Sequence, residues 1–216
     1  MEKLSVLLAD DHAIIRDGLR QILADTEDLA VVGEAANGLE VMQKVRERDW
    51  NVLVLDISMP GRNGLELIRM VKDERPELPI LVFSMHQEEQ YAVRALKAGA
   101  QGYLTKESDS ELLVAAIRRV AGGGVYLSDK VAALMVRGMR PSDKPQAHHL
   151  LSDREFQIFN MLVAGRGLTE IGAELSLSVK TISTHKTHIL QKMGLAGTAD
   201  LIRYAIAHKL VDPSHF

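Results

Sequence analysis

The chain has 216 residues, of which 46% are hydrophobic and 25% charged, and it contains no cysteine. This composition is typical of a globular protein of one or two domains, and it excludes disulfides, thiolate metal sites and a cysteine nucleophile. Charge is unevenly spread, because residues 1–125 carry 15 Lys and Arg against 21 Asp and Glu, whereas residues 149–216 carry 7 against 6. No stretch has the apolar length of a signal peptide or a membrane span, so we expect a soluble cytoplasmic protein with no membrane contact.

The first part of the chain alternates short apolar runs with segments of helical period. The runs predict five strands, and the apolar stripes between them predict helices that pack on the sheet. This alternation favours an α/β domain whose parallel sheet is covered on both faces. The predicted strands are Leu4–Ala9, Leu29–Val32, Val52–Leu55, Ile80–Phe83 and Gly102–Leu104.

Glycine and proline mark the boundary between two domains. Gly122, Gly123 and Gly124 predict the end of the last helix of the first domain. Ser128 is suited to cap a short helix that ends near Arg137, and residues 138–149 have two prolines and no apolar period, which is typical of an exposed linker. We therefore divide the chain into a first domain at 1–124, a linker with a short helix at 125–149 and a second domain at 150–216.

The second domain shows helical patterns and no strand pattern. Ser152 and Glu155 form the sequence of a capping box at the start of its first helix. Two later helices joined by a tight turn predict a helix-turn-helix in a small all-α domain. The later elements are a short helix at 169–175, a turn at 176–178, a longer helix at 179–193 ended by Gly194, and a last helix at 199–208.

Polar side chains follow several predicted strands of the first domain, and they are Asp10, Asp11, Asp56, Ser84 and Lys106. The carboxyl ends of parallel strands share one edge, so these side chains should converge there. Three carboxylates in one place need a cation, and oxygen ligands of this kind suit Mg²⁺. A carboxylate can then attack a phosphoryl group to give an aspartyl phosphate, with the metal and Lys106 offsetting charge and Ser84 bonding the phosphoryl oxygens. An isolated acidic pair more often reflects only turn chemistry, but joint placement at four strand ends favours a site.

The predicted helix at 179–193 has two unlike faces. A solvated polar face is the usual meaning of such a pattern, but the tight turn and shorter helix before it favour insertion into a DNA major groove. The short hydroxyls would reach base edges, whereas the lysines would mainly bind phosphate. The candidate DNA-binding residues are Lys180, Thr181, Ser183, Thr184, Lys186, Thr187, His188 and Lys192.

Residues 4 to about 122 resemble a CheY-type receiver domain. The resemblance is carried by Asp10-Asp11, Asp56 through Gly61, Asn63-Gly64, Ser84, Ala98 through Ala100 and Tyr103 through Lys106. It implies a flavodoxin-like, doubly wound, five-stranded parallel sheet. It also implies that Asp56 is the phosphoacceptor and that Lys106 is the cation that the family has at this position. It also implies that Mg²⁺ is bound by Asp11, Asp56 and the Ser58 carbonyl, with Asp10 acting through a water, and that Ser84 and Tyr103 form a switch. Spacing alone would place Tyr103 in the core. Glu107 departs from the proline that many members have after the lysine.

Residues 151–210 resemble the LuxR-type helix-turn-helix of the NarL/FixJ regulators. The motifs are Leu151 through Glu155, Ala164-Gly165, Glu170 through Gly172, Leu175 through Ser178, Lys180 through Ile182, His185-Lys186 and Ile189 through Gly194. The resemblance implies that 179–193 is the recognition helix of a two-component response regulator. The implied partners are a sensor histidine kinase, promoter DNA, RNA polymerase and, on activation, a second copy of the chain. Gly167 and Thr169 depart from the hydroxyl cap and the cation usual in this turn.

Two other functions compete with this interpretation. A Mg²⁺-dependent phosphohydrolase would also form an aspartyl phosphate, but such enzymes place Asp-x-Asp-x-Thr after the first strand, whereas this chain has Asp10-Asp11-His12-Ala13. A receiver whose helical domain binds protein or RNA is disfavoured only by the resemblance. We therefore expect a transcription regulator that is no dedicated enzyme, although its receiver catalyses its own phosphoryl transfer.

Overall fold

The computed structural model describes residues 3–59, 63–86, 88–138, 146–208 and 210. It forms two compact units, residues 1–136 and 137–216. The predicted domain limits at 124 and 149 remain predictions, and most of the predicted linker, residues 139–145, lies outside the described residues.

The first unit is built on a parallel sheet of five strands in the order β2-β1-β3-β4-β5, which confirms the predicted doubly wound fold. Edge strand β2 continues three residues beyond its predicted end, because Gly33, Glu34 and Ala35 still pair with β1. A polar residue is tolerated there, since Glu34 bonds Arg16 at 3.0 Å beside the sheet. The strands are β1 Leu4–Ala9, β2 Leu29–Ala35, β3 Val52–Leu55, β4 Ile80–Ser84 and β5 Gly102–Thr105.

Helices cover both faces of this sheet. Alternate residues of a strand point to opposite faces, and Val6 and Val54 belong to one apolar cluster that includes Leu23 and Ile117 of the covering helices. The intervening Leu7 is also 0% exposed, so the other face is covered too. The helices are α1 Ala13–Ala24, α2 Gly38–Glu47, α3 Gly64–Glu74, α4 Glu88–Ala98, α5 Ser110–Ala121 and α6 Asp129–Gly138.

Helix α6 begins where the sequence predicts. The Ser128 hydroxyl accepts the Val131 N–H at 3.3 Å, and Val131 is fully buried. The same hydroxyl donates to the Glu88 carboxylate at the start of α4. One side chain therefore caps α6 and holds its first turn against α4.

The second unit is all helical, as predicted. It consists of a 3₁₀ helix Ala147–Leu150, then α7 Asp153–Val163, α8 Leu168–Glu174, α9 Val179–Met193 and α10 Thr198–Ala207. The prediction that residues 138–149 form an exposed linker is wrong at His148, which is only 5% exposed. Its Nδ1 lies 3.0 Å from the Tyr204 hydroxyl, and its ring stands beside Phe156. An imidazole can be buried in this way because its polar atom finds a partner.

The predicted capping box of α7 is confirmed, and its carboxylate has a second role. Glu155 Oε2 accepts the Ser152 N–H at 2.8 Å and lies 2.6 Å from Lys192 Nζ at the end of α9. Burial opposes the charge of Glu155, but the bonds from Lys192 and Ser152 outweigh it and hold the pKa of this carboxyl below its usual value. A single acid thus starts one helix and fastens another to it.

Gly64 provides a test of close packing next to β3. A Cβ at this position would overlap the backbone of Ile57, so we expect Gly64→Ala to lower the free energy of unfolding by about 1–3 kcal/mol. The matched control is Gly18→Ala in the exposed part of α1, where nothing lies within 4 Å and alanine should raise stability by up to about 1 kcal/mol. Urea unfolding followed by the fluorescence of the single tryptophan, Trp50, measures both. Equal effects would contradict this packing.

Glu155→Gln tests the carboxylate that joins α7 to α9. A folded pKa below the unfolded value stabilises the fold above the unfolded pKa, and this contribution is lost as the pH falls through the folded pKa. We expect the variant to cost about 1–2 kcal/mol at pH 7 and progressively less below about pH 4. Hydrogen exchange of α7 and α9 amides measures the difference. Glu174→Gln, which changes an exposed acid paired with Arg166, should have little effect; a pH-independent loss in Glu155→Gln would refute the assignment.

Candidate functional site

The carboxyl edge of the sheet gathers the predicted polar residues. The backbone ladder continues one residue past the strands, since Asp10 N–H donates to Ala35 O at 3.0 Å, Asp56 N–H to Ala9 O at 2.8 Å and Lys106 N–H to Ser84 O at 2.9 Å. Each side chain therefore leaves the sheet from a position fixed by its neighbouring strand.

Lys106 is the centre of this cluster. Its Nζ lies 2.6 Å from Asp10 Oδ2 and 2.6 Å from Asp56 Oδ2, and the three side chains are 4%, 3% and 1% exposed. Burial alone would lower the pKa of Lys106, but the hydrogen bonds to both carboxylates outweigh it and raise the pKa above its ordinary value. The ammonium is therefore a fixed positive charge against the buried oxygens of Asp56.

Asp11 completes the acidic group beside a residue that sequence reasoning missed. Asp11 Oδ1 is buried and makes no hydrogen bond within the described residues. His12 Nδ1 lies 3.1 Å from that oxygen and 3.3 Å from Asp10 Oδ1, without the geometry of a hydrogen bond to Asp11. One ligand atom from each of Asp10, Asp11, His12 and Asp56 falls within 4.8 Å of the others. The signal for His12 was its place directly after the acidic pair.

This acidic group fits a divalent cation. Three carboxylates against the ammonium of Lys106 leave a formal charge of −2 on the pocket. An orphaned buried oxygen is unfavourable unless a water or an ion satisfies it, and carboxylate oxygens are the ligands that Mg²⁺ takes. Such an acidic site is typical of receivers that bind magnesium.

Asp56 is held from both of its oxygens. Oδ2 contacts Lys106, and Oδ1 accepts the N–H of Ser58 at 2.8 Å. The hydroxyl of Ser58 lies 3.3 Å from that of Ser84, and Ser84 is 0% exposed. The structure thus brings the predicted acceptor and hydroxyl to the same pocket, while Pro60 and Gly61 of the motif lie outside the described residues.

Tyr103 belongs to the core and also reaches the loop after β4. It is 0% exposed, and burial raises the pKa of its phenol far above the usual value. Its hydroxyl donates to His86 O at 2.8 Å, while the His86 N–H donates to Ser84 Oγ at 3.3 Å. No sequence pattern indicates that the backbone of His86 links the two predicted switch residues.

The predicted recognition helix has the two faces expected of it. Ser178 caps it by accepting the Thr181 N–H at 3.0 Å, and Ser176 makes the preceding turn with a left-handed φ of 53°. The buried side holds Ile182, Ile189 and Met193. The opposite side is exposed at Lys180, Ser183, Thr184, Thr187 and His188, and partly exposed at Thr181 and Lys186.

Two sets of contacts made by this helix do not follow from the sequence pattern. The hydroxyls of Thr184 and Thr187 donate to carbonyls one turn earlier, at 3.0 and 3.1 Å, while both residues remain exposed. Lys192 is paired with Glu155, whereas its side chain remains 43% exposed. The lysines of α9 are therefore unequal in their surroundings.

The helices flanking α9 differ in their surroundings. In α10, Leu201 and Ala205 are fully buried, whereas Ile202 is partly exposed and Ile206 is 37% exposed. At the start of α8, the Gly167 N–H donates to Glu170 Oε2 at 2.7 Å. The glycine cap thus supplies no side chain, and the acid satisfies its amide.

Among the helices that the structure describes, none combines the length and apolarity needed to cross a membrane. The phosphohydrolase alternative requires an Asp-x-Asp-x-Thr sequence after the first strand, whereas β1 is followed by Asp10-Asp11-His12-Ala13.

The comparisons with known proteins agree with this geometry. Residues 6–118 match the family model "Response regulator receiver domain", and residues 149–205 match "Bacterial regulatory proteins, luxR family". The chain is 36% identical over 216 residues to the oxygen regulatory protein NreC of Staphylococcus carnosus, covering 97% of this chain and 100% of that one.

Solved structures of RcsB extend the likeness to three dimensions. One from Salmonella typhimurium has a TM-score of 0.71 at 28% identity, covering 96% of this chain and 98% of that one. RcsB from Salmonella enterica serovar Typhimurium, bound to promoter rprA in the presence of the phosphomimetic BeF₃⁻, has a TM-score of 0.66 at 27% identity, covering 95% and 100%. The chain therefore belongs to the response regulators, as a receiver domain followed by a LuxR-type DNA-binding domain and not as a dedicated enzyme.

Proposed function

We propose that a sensor histidine kinase phosphorylates this protein on Asp56 and that phosphorylation controls the binding of α9 to promoter DNA. The observation that carries the proposal is the buried contact of Lys106 Nζ with Asp56 Oδ2 at 2.6 Å. It pairs a candidate nucleophile with a fixed cation at the edge where open α/β sheets bind their ligands. A receiver domain implies a histidine kinase as its partner.

In this proposal an oxygen of Asp56 attacks the phosphorus of a phosphohistidine, the P–N bond breaks and an acyl phosphate forms. Lys106 offsets the negative charge on the transferring oxygens. Asp11, Asp56 and the Ser58 carbonyl would hold Mg²⁺, with Asp10 acting through a water. When bound, the ion neutralises charge between the carboxylate and the phosphoryl group.

The route from phosphorylation to the rest of the receiver runs through the loop after β4. A phosphoryl oxygen that bonds the Ser84 hydroxyl would compete with its present contacts to Ser58 and His86. Tyr103 holds the same loop through the His86 carbonyl, which supports the switch role of Ser84 and Tyr103. The loop leads to α4, whose Glu88 is bonded to Ser128 at the start of α6.

The second domain would read DNA through the exposed side of α9. Ser183, Thr184 and Thr187 would face base edges, because all three residues are exposed on one side of α9 and short hydroxyl side chains can bond base edges. Phosphate contacts would come from the remaining candidates, which are Lys180, Thr181, Lys186, His188 and Lys192. The RcsB structure bound to promoter rprA supports DNA as the ligand of this domain. We further propose that the protein acts in the cytoplasm, forms a homodimer on activation and contacts RNA polymerase at the promoter.

Phosphorylation is tested with a kinase or with acetyl phosphate as donor. Asp56→Asn should abolish base-labile, hydroxylamine-sensitive labelling of the chain, because the amide cannot form an acyl phosphate, and chelation of Mg²⁺ should do the same. Lys106→Ala should retain part of the labelling but lose its effect on DNA affinity. The control is Asp49→Asn, since Asp49 is an acid with a 95% exposed side chain. Robust labelling of Asp56→Asn would reject Asp56 as the acceptor.

DNA reading is tested by affinity for preferred and random duplexes at several salt concentrations. Lys180→Ala should weaken both duplexes and lower the salt slope by about one unit. Thr184→Ala should cost roughly 1–3 kcal/mol on the preferred site alone. Because Lys192 is already paired with Glu155, Lys192→Ala should change the slope less than Lys180→Ala. The control is Lys44→Ala in α2, which should leave binding unchanged.

An equal loss on random and preferred DNA in Thr184→Ala would show that this face does not read bases. Failure to bind any duplex, together with retention of RNA or a protein ligand in the same filter assay, would favour the other binding functions.

A further inference from the structure

The imidazole of His12 belongs to the acidic pocket, and no role in phosphoryl transfer requires it. His12 is the N-cap residue of α1, and its backbone N–H donates to Asp10 Oδ1 at 2.9 Å. Its carbonyl accepts the N–H groups of Ile15 and Arg16 at 3.1 and 3.2 Å. The backbone is thus fixed at both ends, and the ring can reach the pocket from its solvent side, where its side chain is 66% exposed.

The ring nitrogen stands where a metal ligand would stand. Neighbouring ligands of a six-coordinate ion with bonds of roughly 2.1 Å are separated by about 3.0 Å, and His12 Nδ1 lies 3.1 Å from Asp11 Oδ1. That oxygen is buried and makes no hydrogen bond among the described residues. A protonated imidazole would form an ion pair with Asp11 at this distance; with Nδ1 unprotonated, the nitrogen and the carboxylate oxygen both present lone pairs, and a cation between them makes their close approach favourable.

We propose that His12 supplies a nitrogen ligand to the divalent ion of this pocket and thereby makes the site select Mn²⁺ or a later transition ion over Mg²⁺. The inference rests on the proposed function, because it concerns the same ion. Magnesium takes oxygen ligands almost exclusively, whereas imidazole binds well to the transition metals. The carboxylates of Asp11 and Asp56 accept either class of ion, so His12 is the residue that distinguishes them.

The selectivity has a consequence for phosphorylation. A site that takes Mn²⁺ at lower concentration than Mg²⁺ lets the protein accept phosphoryl groups when magnesium is held by other ligands. Mn²⁺ and Mg²⁺ offset the same charge, so the chemistry at Asp56 is the same with either ion. Only the concentration of each ion that phosphorylation requires is different.

The experiment measures the binding of Mn²⁺ and of Mg²⁺ to the full chain by calorimetry, in the wild type and in His12→Asn. We expect His12→Asn to weaken Mn²⁺ by at least about tenfold, since even the loss of an outer-shell partner costs that much, and to weaken Mg²⁺ by much less. The ratio of the two affinities is decisive, because a change in the charge of His12 would alter both ions alike. Electron spin echo modulation of bound Mn²⁺ should show ¹⁴N coupling in the wild type that disappears in His12→Asn.

Asp11→Asn distinguishes failure of the nitrogen ligand from failure of the proposed function. It should weaken both ions, since Asp11 is a common ligand. If Mg²⁺ binding depends on Asp11 but the ratio of Mn²⁺ to Mg²⁺ affinity is the same in wild type and His12→Asn, or if the ¹⁴N coupling persists in His12→Asn, the nitrogen ligand is rejected and the proposed function stands. If neither ion binds, both proposals are overturned.

Discussion

The contact of Lys106 with Asp10 and Asp56 is the interaction on which the receiver unit depends. All three groups are almost fully buried, and a buried charge is costly unless it is paired and hydrogen-bonded. The lysine satisfies two carboxylates that come from different strands, so β1, β3 and β5 must end in register for the site to exist. That register comes from the parallel sheet, in which β1 pairs with β3 and β4 pairs with both β3 and β5. Charge pairing and sheet topology therefore require each other.

The pocket remains short of positive charge after this pairing. One ammonium faces three carboxylates, and Oδ1 of Asp11, which makes no hydrogen bond within the part of the chain that the structure describes, marks the side on which compensation is needed. The pocket is consequently suited to two additions of opposite sign, a divalent ion beside Asp11 and a phosphoryl group on Asp56. Each addition makes the other more favourable, because the ion offsets the charge that the phosphoryl group brings. In the proposed function, this mutual dependence would link metal binding to formation of the acyl phosphate on Asp56.

Sequence reasoning predicted the elements more completely than their contacts. The five strands, the recognition helix and the cluster at the sheet edge follow from local patterns, namely apolar runs, caps and residues placed after strands. The features that sequence reasoning missed are contacts between residues that lie far apart in the chain. Glu155 with Lys192 joins residues 37 apart, and the burial of His148 depends on Tyr204, which is 56 residues away. The extension of β2 also escaped, because the backbone of β1 decides it and not the side chains of β2.

The DNA-binding domain applies the same physical constraint with a different outcome. Its buried acid, Glu155, is satisfied by the capping amide of Ser152 and by Lys192 from α9, so it needs no ion. This pairing uses a cation of the recognition helix for attachment to α7, and it leaves Lys180 and Lys186 as the lysines of α9 with no such ion pair to a buried acid among the described residues. One carboxylate therefore fastens the end of α9 to α7 and takes up one of its lysines, in addition to the packing of the buried Ile182, Ile189 and Met193. A helix fixed in this way presents its hydroxyl face at a defined angle, which base reading requires because hydrogen bonds to base edges tolerate little misalignment.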